Sequence, residues 1–288
     1  MTERRILLFG GSGQVGGALR ATSLPAGATL VAPPRAEADI VDAAAVDAVL
    51  GAAPWSAVIN AAAWTAVDAA EDAVAEAFTA NALGPAVLAD ATRRREIPLI
   101  HISTDYVFDG TKPTPYGEDD RVGPLGVYGA SKLAGEEAVR TGNPRHLIVR
   151  TAWVYGTSGR NFLRTMLRLA GERETVRVVD DQWGMPTAAM DLAGALLALA
   201  LRDDLRERSG TYHFANRGET TWCGFARRLL ALSAARGGPF AAVEAITTAE
   251  FPTPARRPVN SRLATDRIER DFGIVPRHWE DALRDVIA

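Results

Sequence analysis

A short apolar run, Arg5–Phe9 (RILLF), leads directly into Gly10-Gly11-Ser12-Gly13-Gln14-Val15-Gly16. This G-x-x-G-x-x-G turn restricts the fold more than any other feature of the chain. Glycines at that spacing permit a tight turn, let the backbone approach a pyrophosphate and let the following helix pack closely on the strand. The free N–H groups and positive end of that helix attract phosphate. A strand before it, a helix through Leu24 after it and a place early in the chain give the motif its dinucleotide-binding meaning.

The next 130 or so residues repeat the same rhythm. Apolar runs at Thr29–Ala32, Ala57–Asn60, Leu99–Ser103 and Leu147–Thr151 alternate with helical stretches at Asp42–Ala53, Ala73–Arg95 and Tyr128–Arg140. Asp42 is placed to cap the first of these, and Gly84-Pro85 marks a bend in the second. Strands this short and apolar are buried on both faces. The expected fold is α/β, a Rossmann-like doubly wound parallel sheet with right-handed crossovers. Beyond residue 153 the rhythm breaks. Helices at 161–170, 191–202, 222–235 and 266–272 surround short strands at 175–179 and 211–215, and Pro252, Pro254 and Pro258 punctuate a loop. These read as a smaller C-terminal substrate-binding lobe that closes a cleft against the sheet.

Composition removes several classes of function. The net charge of −3 argues against a protein that coats nucleic acid. A single cysteine, Cys223, excludes an internal disulfide framework and any multi-cysteine metal site. The most apolar late stretch, Leu192–Leu201, is ten residues long, half of the roughly 20 needed to span a bilayer. The chain's opening is too short for the apolar core of a signal peptide, so a cytoplasmic protein is expected. Of the 32 Lys and Arg residues only two are lysines, Lys112 and Lys132, which draws attention to where they sit.

Lys132 follows Tyr128 by four residues, in Tyr128-Gly129-Ala130-Ser131-Lys132. On a helix that spacing places phenol and amine on one face. A cation beside the phenol lowers its pKa and makes it a better proton donor, and the same lysine is placed to grip a nucleotide's ribose. Thr104, 24 residues before Tyr128, directly follows the run Leu99–Ser103. Open α/β sheets bind ligands at that edge, where the Thr104 hydroxyl is positioned to hold a carbonyl oxygen.

Other positions keep two readings. The second strand ends Ala32-Pro33-Pro34-Arg35, without the carboxylate that binds a ribose 2′-hydroxyl. Arg35 either pairs with a 2′-phosphate, favouring NADPH over NADH, or is a solvated surface side chain. Asp39 and Ile40 are placed to flank an adenine. Tyr106 and Trp153 either present flat faces to a sugar ring or fill the core. Asp105 either bonds a sugar hydroxyl or caps the strand end. Arg257 either clamps a diphosphate or belongs to a surface pair with Arg256. His101, inside an apolar run, reads as a satisfied core side chain.

The chain resembles the extended short-chain dehydrogenase/reductases, and more narrowly the dTDP-4-dehydrorhamnose reductase family. The likeness spans about residues 4–285. It rests on LLFGGSGQVG (7–16), NAAAWTAVD (60–68), STDYVFDG (103–110), PLGVYGASKLAGE (124–136), RTAWVYG (150–156), NFLRTMLRLA (161–170), DDQWGMPT (180–187) and RPVNSRL (257–263). The resemblance implies a catalytic triad of Thr104, Tyr128 and Lys132, and a pyrophosphate loop at Gly10, Gly13, Gln14 and Val15. It places Ala61, Ala62, Ala63 and Thr65 beside the nicotinamide ribose. Thr104, Asp105, Tyr106 and Trp153 would line the sugar, and Asn161, Phe162, Arg257 and Asn260 the nucleotide side of the cleft.

The activity implied is NAD(P)H-dependent reduction of the 4-keto group of a dTDP-linked keto-sugar, dTDP-4-dehydrorhamnose to dTDP-L-rhamnose. Rival readings are a sister ketoreductase of antibiotic deoxysugars and a non-catalytic cofactor-binding regulator. The implied division is 1–153 plus about 188–215 for the NADP-binding domain, with about 154–187 and 216–288 for the sugar-nucleotide lobe. Trp64 departs from relatives that carry His there. Some relatives dimerise through magnesium, but VGGALR (15–20) and TAAM (187–190) contain no carboxylate. No metal is expected, and any homodimer would form without a metal bridge. Neither nucleic acid nor membrane is an expected partner.

Overall fold

The computed structural model describes residues 3–288, so the first two residues of the 1–153 span lie outside the described residues. The chain runs β1 (Arg4–Phe9), α1 (Gln14–Ala21), β2 (Ala28–Val31), α2 (Ala43–Gly51), β3 (Ala57–Asn60), α3 (Val67–Asp72), α4 (Val74–Phe78), α5 (Gly84–Arg94), β4 (Leu99–Thr104), α6 (Val127–Gly142) and β5 (His146–Thr151). It continues through β6 (Val154–Tyr155), α7 (Phe162–Glu172), β7 (Thr175–Val179), β8 (Trp183–Gly184), β9 (Thr187–Ala188), α8 (Ala189–Ala200), β10 (Gly210–His213), β11 (Thr220–Thr221), α9 (Trp222–Ala235), β12 (Ala242–Ile246), α10 (Asp266–Phe272) and α11 (Trp279–Val286).

Six strands form one sheet in the order β10-β5-β4-β3-β1-β2, and every pair in it is parallel. Side chains alternate across the sheet, so Ile6 and Leu8 enter one core with Leu19 of α1 and Leu192 and Leu196 of α8. Leu7 and Phe9 enter the opposite core with Leu50 of α2, Leu88 of α5 and Val139 of α6. All four β1 side chains are essentially inaccessible, each burial favouring the fold by about 1.5–3 kcal/mol. The chain leaves β1 for β2 on one side and returns to β3 on the other. That reversal opens a crevice above the C-terminal ends of β1 and β3.

A second core gathers Tyr155, Met166, Val176, Phe225, Leu229 and Trp279 from the later elements. Three two-stranded ladders serve it, β7 with β12, β8 with β11 and β6 with β9. No helix among the described residues is long and apolar enough to cross a membrane.

The single helix expected over 73–95 is instead α4, a π-helical turn at Thr79–Leu83 and α5. Gly84 opens the resumed α-helix, where an added Cβ would strike the Ile40 side chain at 2.4 Å. Asp42 caps α2 as expected, accepting from the N–H groups of Ala44 and Ala45.

Candidate active site

At the crevice the glycine turn is forced by contact as well as by torsion. Gly10 has φ +84°, and a Cβ there would lie 2.4 Å from the Ala62 nitrogen. A Cβ on Gly16 would lie 2.1 Å from the Gly10 oxygen. Gly13 is the N-cap of α1 and offers no side-chain acceptor to the helix's first N–H groups. Those donors are left for an anion. A cavity of about 860 Å³ opens here, lined by Gly10–Gly13, Arg35, Asp39, Ile40 and Ala61–Trp64. The crowded glycines, the open helix end and the arginine at the strand end together fit a phosphorylated dinucleotide.

Arg35 stands at the rim with its side chain 83% exposed and bonds Asp39 through Nε at 3.0 Å. Five expected cofactor positions are absent from the lining, Gln14, Val15, Thr65, Tyr128 and Lys132. Thr65 is exposed beyond it, and Val15 packs against the core under the sheet. Gln14 Oε1 accepts from Asn161 Nδ2 at 2.7 Å.

Thr104 ends β4, and α6 begins behind it at Val127, whose N–H donates to Glu71 Oε1 at 2.9 Å. Gly129 lets α6 come close, since a Cβ there would lie 2.2 Å from the Tyr106 oxygen. The approach sets the Tyr128 ring edge-on to Tyr106, 5.5 Å between centroids, with the Thr104 hydroxyl near enough to act on its phenol. The Thr104 hydroxyl donates to Asp105 Oδ1 at 2.9 Å and accepts from the Tyr106 N–H at 3.2 Å. Thr104, Asp105, Tyr106 and Tyr128 are thus gathered as the spacing implied.

Lys132 departs from expectation. Its Nζ donates to the Ile102 carbonyl at 2.7 Å and lies 3.4 Å from His101 Nε2. Burial pulls the amine down to about 8, against the opposing pull of Glu136. Tyr128 is pushed up to about 12, chiefly by burial, with the Thr104 hydroxyl as the group that lowers it. The expected cation beside the phenol is therefore not what governs Tyr128 here. Neither Tyr128 nor Lys132 lines the cavity. Two hydrogen-bonded paths join them to it. Asn81, on the π turn, bonds both backbone groups of Trp64 and the Ser131 hydroxyl. Asn60 links the Ala62 N–H to His101.

The residues expected to face the substrate divide. Trp153 stacks on Trp222 at 3.5 Å between centroids, so one ring face is already covered. Its φ of +49° is a left-handed conformation for a bulky residue. Such strain persists only where the surroundings over-determine it. The Trp222 stack does so, together with Gly184, where a Cβ would lie 2.2 Å from the indole. Phe162 joins that aromatic group, 4.6 Å from Trp222, rather than standing free.

Asn161 caps α7 through Oδ1 and spends Nδ2 on Gln14 and two carbonyls. Asn260, 4% exposed, bonds the carbonyls of Lys112 and Thr114 and accepts from Arg262. Both are occupied structurally. Arg257 pairs with Asp68 at 2.8 Å and with the Ala255 carbonyl, so it is neither free for a diphosphate nor paired with Arg256. It lies close enough to Tyr106 for its charge to act on that phenol. Sequence reasoning missed Asn81, Glu71, Asp68, Glu136 and Trp222. Only Glu136 carried a signal, four residues beyond Lys132 on the same helix face.

Asp105 is 3% exposed and its Oδ2 has no partner. Burial pushes its carboxyl up to about 6, against the nearby Ser261 hydroxyl and the bond from Thr104, which favour the charged form. The folded state therefore holds this proton more tightly than the unfolded chain does. Stability from this group is fully retained at low pH and falls as pH rises from about 4 to about 6, by about 3 kcal/mol. Asp105→Asn is expected to remove that fall. Urea midpoints at about pH 4 and about pH 7 check it, and an unchanged pH dependence would count against the assignment.

The family model described as RmlD substrate binding domain matches residues 4–288. A dTDP-4-dehydrorhamnose reductase of Sinorhizobium fredii is 42% identical over 289 residues, covering 98% of this chain and 96% of its own. The crystal structure of a dTDP-4-dehydrorhamnose reductase from Clostridium acetobutylicum superposes with a TM-score of 0.91 at 36% identity, covering 98% of each chain. That of the Bacillus anthracis dTDP-4-dehydrorhamnose reductase in complex with NADP gives 0.90 at 34% identity, covering 99% of each. With a parallel sheet, a glycine-turn crevice and the helix of Tyr128 packed on the end of β4 set into this full-length match, the chain belongs to the dTDP-4-dehydrorhamnose reductase family.

Proposed function

We propose that the chain uses NADPH to reduce dTDP-4-dehydrorhamnose at its 4-keto group, giving dTDP-L-rhamnose. The carrying observation is the packing of the Tyr128 helix on the end of β4, where the Tyr128 ring meets Tyr106 at 5.5 Å between centroids and a Cβ on Gly129 would lie 2.2 Å from the Tyr106 oxygen. The relatives' names and the NADP in the Bacillus anthracis structure support the substrate and cofactor.

When bound, the cofactor supplies hydride to carbon 4. Gly10 to Gly13 and the open end of α1 would hold its pyrophosphate. Ala61–Ala63 would line its nicotinamide half, with Ile40 and Asp39 beside the adenine. Arg35 would meet a 2′-phosphate at the rim. The Tyr128 phenol gives its proton to the oxygen at carbon 4, and its high pKa keeps that proton in place at neutral pH. A general acid so placed contributes about 10²–10⁴-fold. Thr104 would orient the carbonyl oxygen, and Lys132 would offer its remaining N–H to the ribose. Tyr106, Asp105 and the uncovered side of Trp153 would bound the sugar. Arg257 would reach a diphosphate only by exchanging Asp68 for it.

The sheet with α8 and β10 would form the NADP-binding domain, 1–153 plus about 188–215, and the remainder the sugar-nucleotide lobe. A cytoplasmic enzyme accords with this reading. So does a homodimer formed without a metal bridge.

Loss of NADPH absorbance on adding dTDP-4-dehydrorhamnose tests the proposal. Cofactor binding without turnover would favour a regulatory module, and faster turnover of another 4-keto-deoxyhexose would favour a sister reductase. Arg35→Ala is expected to raise KM for NADPH about ten-fold while leaving that for NADH little changed, as loss of one charge-assisted phosphate contact predicts. Equal effects on both cofactors would remove Arg35 from the site.

A further inference from the structure

His101 sits within β4 at 0% exposure, and no step above uses it. Its surroundings determine where its proton is. Asn60 Oδ1 accepts from the Ala62 N–H at 3.0 Å, which fixes the orientation of the amide. Asn60 Nδ2 therefore faces His101 Nδ1, at 3.0 Å. An amide nitrogen only donates, so Nδ1 must accept and carries no proton. Burial, followed by the nearby Lys132, holds the ring neutral, and its one proton is left on Nε2.

That Nε2–H faces Lys132 Nζ at 3.4 Å. An ammonium has three donors and no lone pair, so it would set donor against donor. A neutral amine fits. Its lone pair accepts from His101 Nε2–H, one N–H donates to the Ile102 carbonyl at 2.7 Å, and one N–H remains for a ligand. We infer that the Asn60–His101 pair, by turning Nε2–H toward Lys132, favours its neutral amine over the ammonium and so weakens its hold on a proton in the unliganded enzyme, with His101 as a positioning residue behind the catalytic face.

The charges around Lys132 are consistent with this arrangement. Its own helix supplies Glu136, the group that favours the ammonium. Arg150 from β5 grips that carboxylate through both oxygens, at 2.8 and 2.6 Å. On β3 Asn60 is uncharged. Beyond β4, Asp105 acts on Tyr128. A lysine whose ammonium is disfavoured pulls Tyr128 less strongly toward phenolate, which leaves it the protonated phenol that a reduction consumes. This consequence rests on the proposed reductase chemistry, whereas the protonation state itself does not.

The test is made on the full chain without ligand, so it stands apart from any failure to turn over a particular sugar nucleotide. Nitrogen chemical shifts of His101 report its tautomer directly. The expected result is an unprotonated Nδ1 and a protonated Nε2, and a proton on Nδ1 overturns the inference. The chain has only two lysines, so isotope-labelled lysine gives two side-chain signals, assigned with Lys112→Arg. The Lys132 signal is expected to titrate at least about one pH unit below the ordinary lysine value, a ten-fold loss of proton affinity or more. His101→Leu, which removes the Nε2–H without adding charge, is expected to raise that midpoint by about one pH unit. A Lys132 that titrates at the ordinary value in the unsubstituted protein overturns the proposal, as does an unmoved midpoint in a folded His101→Leu chain.

Discussion

Tyr128→Phe is expected to fold as the parent does, bind NADPH with unchanged affinity and lose about 10²–10⁴-fold in turnover. The ring keeps its edge-on contact with Tyr106, so the substitution removes one hydroxyl and little packing. What it removes is the proton donor to the forming alkoxide. Positioning of hydride against carbonyl survives, which is why a residual rate should persist. Single-turnover measurement at saturating substrate separates this chemical loss from binding. A decrease of less than about ten-fold would return the proton delivery to another group.

Glu136→Gln should bring the largest loss of stability. Glu136 and Arg150 are 0% and 3% exposed, and the guanidinium meets both carboxylate oxygens. Ser103 adds a third bond at 2.5 Å. The amide is nearly the same shape, so no cavity opens. It leaves Arg150 charged and poorly compensated inside the protein, which costs about 3–5 kcal/mol. Arg150 also lies over the Phe108 ring at 5.0 Å, a contact too weak to replace a carboxylate. Urea unfolding checks this, with the midpoint falling while the slope stays the same. Removing both charges at once, as Glu136→Leu with Arg150→Met, should recover most of the loss. A single variant as stable as the parent would show that water reaches the pair.

What was readable in the sequence follows from how local each signal is. The glycine turn and the Asp42 cap each lie within a few neighbouring residues, and the structure has both, with Tyr128 and Lys132 on one helix. Five apolar runs gave five of the six parallel strands, and β1, β3, β4 and β5 among them, buried on both faces, carry their own pattern, whereas β2 is only half-buried and β10 joins the sheet from the later stretch. Small ladders gave no such signal. Strand β12 (AVEAI) is mostly exposed and is defined by its partner β7, which is distant in sequence. Pairs such as Asp68–Arg257 and Asn161–Gln14 join residues 189 and 147 positions apart. Arg257 and Asn260 look like free polar groups in a sequence because their partners are not adjacent to them. The Lys132 environment was misjudged for the same reason: the i, i+4 rule finds Tyr128 and Glu136, while His101 comes from another element.

The π turn at Thr79–Leu83 has a geometric consequence for the rod that contains it. Each residue of an α-helix advances about 100° around the axis, and a π turn accommodates one residue more than an α turn. The two ends of the rod are thus out of phase by that amount. The offset lets Asn81 face the Trp64 loop while Leu88 and Ala89, further along, face the sheet. An uninterrupted helix of the same composition would satisfy one of these faces and swing the other toward solvent.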